Sequence, residues 1–127
     1  IFVRAILNDE EVMIHGDGKQ TRSMAYVDDL VDGTILAMEN DKAIGDLFNL
    51  GNDEEISVLD SAKIIHKLVN TGKDLKLKFI PFKEIFGEYK DIMRRVPDLT
   101  KARDILGYAS KFSFEKAIKK TLAHLRK

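Results

Sequence analysis

Two short stretches carry residues whose types and spacing could do chemistry. Gly16-Asp17-Gly18-Lys19-Gln20-Thr21-Arg22 joins a glycine turn to a lysine and an arginine, and Arg94-Arg95 runs into Val96-Pro97-Asp98. The first suggests a phosphate loop but fails the test of one. A nucleoside-triphosphate loop needs Ser or Thr directly after Gly-Lys and a glycine five residues before the second glycine. Here those positions hold Gln20 and Met13. The arginines are a different matter. A guanidinium is a planar fork of donors matched to phosphate oxygens, and a diphosphate takes more than one such fork. By pattern alone, both arginine sites are read more simply as surface ion pairs with nearby acids. His15 ends a strand-like run just before the glycine turn, a position from which a side chain can face a ligand.

Three other groupings are read as structural. Asp28-Asp29-Leu30-Val31-Asp32 matches an aspartate-rich magnesium box as a string, but the chain is neither all-helical nor supplied with a second box. An aspartate at a helix N-cap, with more negative charge in the first turn, accounts for it. His15, His66 and His124 have no i+3 or i+4 partner, so no clustered metal site is expected. Lys116, Lys119, Lys120, Arg126 and Lys127 fall on the polar side of an amphipathic helix with no interleaved aromatics, which argues against nucleic-acid binding.

Composition bounds these readings. The 127 residues suit one domain, and 21 basic side chains balance 21 acidic ones, so no polyanion or anionic membrane is implied. Without cysteine there are no disulfides, thiolate metal sites or thiol nucleophiles. No apolar run approaches the roughly 20 residues of a membrane span, and no signal peptide is visible, so a cytoplasmic location is expected. The chain opens on Ile1-Phe2-Val3, already inside a helix-like pattern (Phe2, Ala5, Ile6), which reads as a cut point.

The elements that must position these residues alternate in type. Glu11 to His15 reads as a strand, closed by the Gly16-Asp17-Gly18 turn. A second strand is expected over Ser23 to Tyr26. It leads into a helix near Asp28 whose apolar stripe is Val27, Leu30, Val31, Thr34, Ile35 and Met38. Asp46 to Leu50 reads as a strand. Ser57 and Asp60 form a capping box for a helix burying Leu59, Ala62, Ile65, Leu68 and Val69, stopped by Asn70 and Gly72. Leu75, Leu77 and Phe79 alternate as a strand ended by Pro81, and residues 82–95 carry no readable pattern. A short helix follows Asp98 and stops at Gly107. Ser113 caps a last helix with Phe114, Ala117, Ile118, Thr121, Leu122 and Leu125 on one side. The expected fold class is a small, mostly helical α/β domain with a few short strands.

Four blocks of this sequence resemble a known family in the same order. Gly16 to Asp29 is similar to the GDGxQTRxFxYVDD segment of extended short-chain dehydrogenases acting on nucleotide sugars. Phe48-Asn49-Leu50-Gly51-Asn52 is similar to the family's FNIGN, and Ile56-Ser57-Val58-Leu59-Asp60 to its helix opening. Arg95-Val96-Pro97-Asp98-Leu99, with Lys101-Ala102 and Leu106-Gly107-Tyr108, resembles RxPDxxKAxxxLGWxP. The nearest likenesses are UDP-glucuronate decarboxylases, dTDP-glucose 4,6-dehydratases and UDP-glucose 4-epimerases.

That resemblance implies a C-terminal, sugar-nucleotide-binding domain (residues 1–127) of a larger enzyme, normally packed on an N-terminal Rossmann domain. Arg22 would bind the diphosphate or sugar of a UDP- or dTDP-sugar. Arg95, with or without Arg94, would supply the second phosphate contact, and Gln20 would belong to the same substrate site. His15 stands where relatives place a Phe or Tyr stacked on the base, and Met24 where Phe or Trp is usual. NAD and the catalytic Tyr and Lys belong to the Rossmann domain, and a homodimer of the intact enzyme is one state the resemblance allows. The chain itself has no glycine-rich dinucleotide fingerprint and no Tyr-x-x-x-Lys pair, since Leu30, Met93 and Phe112 follow Tyr26, Tyr89 and Tyr108 at that spacing. The expectation is therefore a piece that binds without catalysing; the alternative is a stand-alone binding or interaction module that reuses the fold.

Overall fold

The structure is a computed structural model that describes residues 1–69, 71–87 and 91–125. Asn70, Tyr89, Arg126 and Lys127, which enter the readings above, lie outside the described residues. In chain order the elements are α1 (Phe2–Leu7), β1 (Val12–His15), β2 (Thr21–Ser23), α2 (Val27–Met38), a 3-10 turn (Asp41–Ala43), β3 (Glu55–Ser57), α3 (Val58–Val69), β4 (Leu77–Ile80), α4 (Phe82–Phe86), β5 (Arg94–Arg95), α5 (Thr100–Leu106) and α6 (Phe114–Leu125). The fold is the small α/β arrangement expected. The chain forms two compact units: residues 1–22, 56–95 and 118–127 make the first, and 23–55 with 96–117 the second.

Two strand pairs in the first unit are parallel. β1 pairs with β4 from Val12 opposite Leu77 to His15 opposite Ile80, and the Val12 N–H reaches one residue further, to Lys76 O. β2 lies between β3 and β5. Its pairing with β5 sets Thr21 opposite Arg94 and Arg22 opposite Arg95. β2 lies earlier than the expected Ser23 to Tyr26 because its neighbour decides where it pairs. Pro97, lacking an N–H, follows two residues after β5, so the ladder cannot run on. α3 packs on α1 and on β1, burying Ala62, Ile65 and Val69, while Ile6, Val12 and Ile14 are buried on the elements it meets. Its N-terminus is capped as the sequence predicts: Ser57 Oγ accepts from the Asp60 N–H at 2.9 Å and donates to Asp60 Oδ2 at 2.7 Å.

The second unit has a core of Leu99, Ala102, Leu106 and Tyr108, with Leu36, Ala37, Phe48 and Leu50 packed against it. Gly107 ends α5 in the left-handed conformation. Tyr108 donates to Gly51 O at 2.6 Å and accepts from Gly51 N–H at 3.2 Å, and burial pushes its phenol above the usual range. A Cβ on Gly33 would lie 2.9 Å from the Tyr108 ring and 2.8 Å from Leu50. A glycine inside a helix costs about 1 kcal/mol relative to alanine, and here it admits that ring.

Three expectations about this unit are corrected. Asp46 to Leu50 is not a strand: no strand runs beside it among the described residues, and an extended segment without a neighbour has no ladder. α2 does carry its apolar stripe, but Val27, Leu30, Val31, Thr34, Ile35 and Met38 are exposed, and the helix buries Asp29 and Gly33 instead. The N-cap of α2 is Tyr26, so no aspartate caps it. Asp28 and Asp29 stand in its first turn. The Asp29 carboxylate, 1% exposed, accepts from the backbone N–H groups of Lys111 (2.9 Å) and Phe112 (3.3 Å) and from Ser110 Oγ (3.0 Å). It fastens the 110–112 loop. No described helix is long and apolar enough to cross a membrane.

Candidate functional site

A groove of about 610 Å³ lies in the first unit, within the size range of small-ligand pockets. Ile1, Phe2, Met13, Val58 and Phe82 give it an apolar wall, and His15, Gln20 and Asp91 its polar groups. His15 enters from the end of β1, as its place before the glycine turn suggested. The turn itself is shaped by packing. Gly16 has φ +69, and a Cβ there would stand 2.3 Å from Phe82 Cε2, so the glycine lets the phenyl ring of Phe82 close the groove.

Gln20 is 3% exposed. Its Nε2 donates to His15 O at 2.8 Å, and its own backbone carbonyl accepts from Val58 N–H. The loop before β2 is thereby tied to the end of β1 and to the start of α3. Its Oε1 has no hydrogen-bond partner among the described residues.

Arg22 is held on three sides. Nη1 donates to Thr21 O at 2.8 Å and Ile92 O at 2.7 Å, and Nη2 donates to Asp91 Oδ2 at 2.8 Å. The pair is 19% and 17% exposed at its side chains. A guanidinium has five N–H donors, so among the described residues the Nε–H and one Nη2–H are left without a partner on a group held at three points. The ion pair foreseen from pattern alone does exist, and it joins Arg22 to the groove wall that Asp91 forms. Arg95 is exposed and stands opposite Arg22 in register on β5. Side chains in register on parallel strands share a face, with strands about 4.8 Å apart. Arg22 and Arg95 are thus paired cations, whereas Arg94 is paired with Thr21, on the alternate face. Asp91 was not singled out from the sequence. Its partner lies 69 residues away, and no local spacing signals that.

A hollow of about 320 Å³ in the second unit has two of its polar side chains spent on backbone groups. Glu54 Oε2 accepts from Phe114 N–H at the start of α6, and Asn52 Nδ2 donates to Phe112 O, both at 2.6 Å. No group of three or more potential metal ligands occurs among the described residues.

A family model described as GDP-mannose 4,6 dehydratase matches residues 1–121. The chain belongs to the NAD-dependent epimerase/dehydratase family. Among its relatives in this family, UDP-N-acetyl-alpha-D-glucosaminuronate decarboxylase of Bacillus cytotoxicus is 34% identical over 98% of the chain. UDP-glucuronic acid decarboxylase 4 of Arabidopsis thaliana is 37% identical over 92%. The chain spans 38% and 24% of the lengths of those two proteins. Of the solved structures, UDP-glucose 4-epimerase of Thermotoga maritima, determined with UDP-glucose, is 32% identical and superposes with a TM-score of 0.82 over 98% of this chain and 38% of its own. A UDP-glucuronic acid 4-epimerase variant of Bacillus cereus, determined with a UDP-sugar analogue and NAD, is 28% identical with a TM-score of 0.84 over the same shares.

The matched members of the epimerase/dehydratase family are thus nucleotide-sugar enzymes. The glycine turn of this chain does not fit the pyrophosphate of NAD. The Gly16 N–H is spent on Ile80 O, and Cβ atoms at Gly16 and Gly18 would strike Phe82, Ile14 and Leu59. These glycines serve side-chain packing and form no phosphate cradle.

Proposed function

We propose that this chain is the nucleotide-sugar-binding portion of an NAD-dependent epimerase, dehydratase or decarboxylase. The observation that carries the reading is the pairing of Arg22 and Arg95 across parallel strands, with Arg22 locked to the wall of a groove that also holds His15. Two guanidinium groups on one face match a diphosphate, and a cation fixed before binding loses less entropy on contact. The groove takes the base of a UDP- or dTDP-sugar against His15, with Gln20 fixing the loop between them. Arg95 makes the second phosphate contact, and Arg94 is spared.

The rest of the intact enzyme supplies the chemistry. A Rossmann domain there holds NAD, and this portion positions the sugar by binding the remote base and diphosphate. The exposed stripe of Val27, Leu30, Val31, Ile35 and Met38 on α2 supports that arrangement, because an apolar helix face of this length calls for a cover.

The test is nucleotide affinity in the intact protein. Losing one charge-assisted phosphate contact costs about 1.5–3 kcal/mol, so Arg22→Ala and Arg95→Ala should each weaken UDP or dTDP binding about tenfold or more. Calorimetry that finds both variants binding like the wild type would sink the assignment.

A further inference from the structure

Asp91 is not accounted for by diphosphate binding alone. Its Oδ2 accepts from Arg22 and its Oδ1 from the Ile92 N–H, both at 2.8 Å, and it forms part of the groove wall. A carboxylate held at both oxygens is a fixed negative charge beside the cation that a diphosphate would seek. Without that charge Arg22 keeps two of its three contacts, since Thr21 O and Ile92 O both hold Nη1. What the carboxylate changes is the net charge of the site. Arg22 and Arg95 bring two positive charges to neighbouring strands, and Asp91 offsets one of them.

We infer that Asp91 is a specificity-determining residue that favours a nucleoside diphosphate esterified by a sugar over the free nucleoside diphosphate. The inference rests on the nucleotide-binding function proposed above. Esterification at both ends leaves each phosphorus with one ionised oxygen. The free nucleotide has a terminal phosphate whose second ionisation lies near pH 6, so at pH 8 it carries one charge more. That extra charge is drawn by the two arginines and repelled by Asp91, so the carboxylate weakens the free nucleotide more than the ester. Unit charges about 6 Å apart at a partly screened site differ by about tenfold in binding. Asp91 therefore takes away part of the advantage that the two arginines give to that extra charge.

The test compares UDP-glucose, UDP and uridine by calorimetry at pH 8, using the intact protein and its Asp91→Asn and Asp91→Glu variants. Asparagine keeps the shape and an acceptor for Arg22 Nη2 while removing the charge, and gives up the acceptor for the Ile92 N–H. Asp91→Asn should tighten UDP about tenfold more than UDP-glucose and leave uridine unchanged, and Asp91→Glu should keep the wild-type ratio. UDP and UDP-glucose shifting by one common factor, or weakening together with uridine, would overturn the inference and make Asp91 a structural residue. Should Asp91→Asn not fold, Asp91→Ser removes the same charge and is read the same way. Wild-type protein that binds none of the three would overturn the nucleotide assignment itself, and this inference with it.

Discussion

Replacing Asp29 by asparagine separates the structural from the chemical reading of the aspartate run at the start of α2. The carboxylate accepts three hydrogen bonds: Lys111 N–H at Oδ1, and Phe112 N–H with Ser110 Oγ at Oδ2. An asparagine has one acceptor oxygen. Turned to keep Phe112 and Ser110, it points its NH₂ at the Lys111 N–H, and turned the other way it loses two bonds. The better choice leaves one part-buried N–H facing another donor, a cost of about 1–3 kcal/mol. Alanine loses all three bonds and opens a small void, for about 2–4 kcal/mol. For a unit of this size each kcal/mol is worth roughly 3–5 °C in Tm. Differential scanning calorimetry of the intact protein should therefore place Asp29→Asn about 3–15 °C below wild type, with Asp29→Ala lower still. UDP affinity at a temperature where both variants are folded should be unchanged. A melting temperature within a degree of wild type, or a selective loss of ligand binding, would refute the view that Asp29 is a clasp for the 110–112 loop.

Two further substitutions test the supports around the site. Tyr108→Phe removes the hydroxyl that both donates to and accepts from Gly51, and thermal melts should register a loss of about 1–3 kcal/mol; no loss would mean that Gly51 finds other partners. Ser57→Ala removes the cap of α3 and should cost about 1 kcal/mol at pH 7 by urea denaturation. The hydrogen bond from Ser57 holds Asp60 below its ordinary 3.8, with Lys63 adding to the effect. A depressed carboxylate contributes stability above its unfolded pKa and loses it as pH falls through the folded one. The gap between wild type and Ser57→Ala should accordingly narrow below pH 3.8, and a constant gap would separate the cap from the Asp60 charge.

Local signals were legible where local forces decide. The Ser57-Asp60 box, the left-handed stop at Gly107 and the short strand ending at His15 depend on neighbours within a few residues, and each stands where the sequence puts it. Residues 82–95 gave nothing, because α4 has five residues and β5 two, too few for a period. Asp46 to Leu50 reads as a strand between Gly45 and Gly51, yet pairing needs a partner that its own sequence does not supply. α2 misleads in the opposite sense: its apolar side faces out, and a glycine and a charged residue face in, since Gly33 admits Tyr108 and Asp29 meets loop N–H groups. Of the site, His15, Gln20 and the two arginine stretches were visible as residue types. The resemblance put Arg95 first, with or without Arg94; that Arg94 lies opposite Thr21 came from strand register, and Asp91 from a contact across 69 residues.

The parallel pairings carry a consequence for the order of assembly. β1 must wait for β4 and β2 for β5, and the Thr21 to Met93 contact closes a span of 72 residues. Parallel strands joined by long excursions raise contact order, and closure entropy is paid before the contacts repay it. His15 and Gln20 leave the ribosome well before Phe82 and Asp91, so the early wall of the groove has no opposite side until those residues follow. Ligand capture by a nascent or refolding chain is therefore a late event, and a nucleotide that binds this groove acts as a reporter of completed topology.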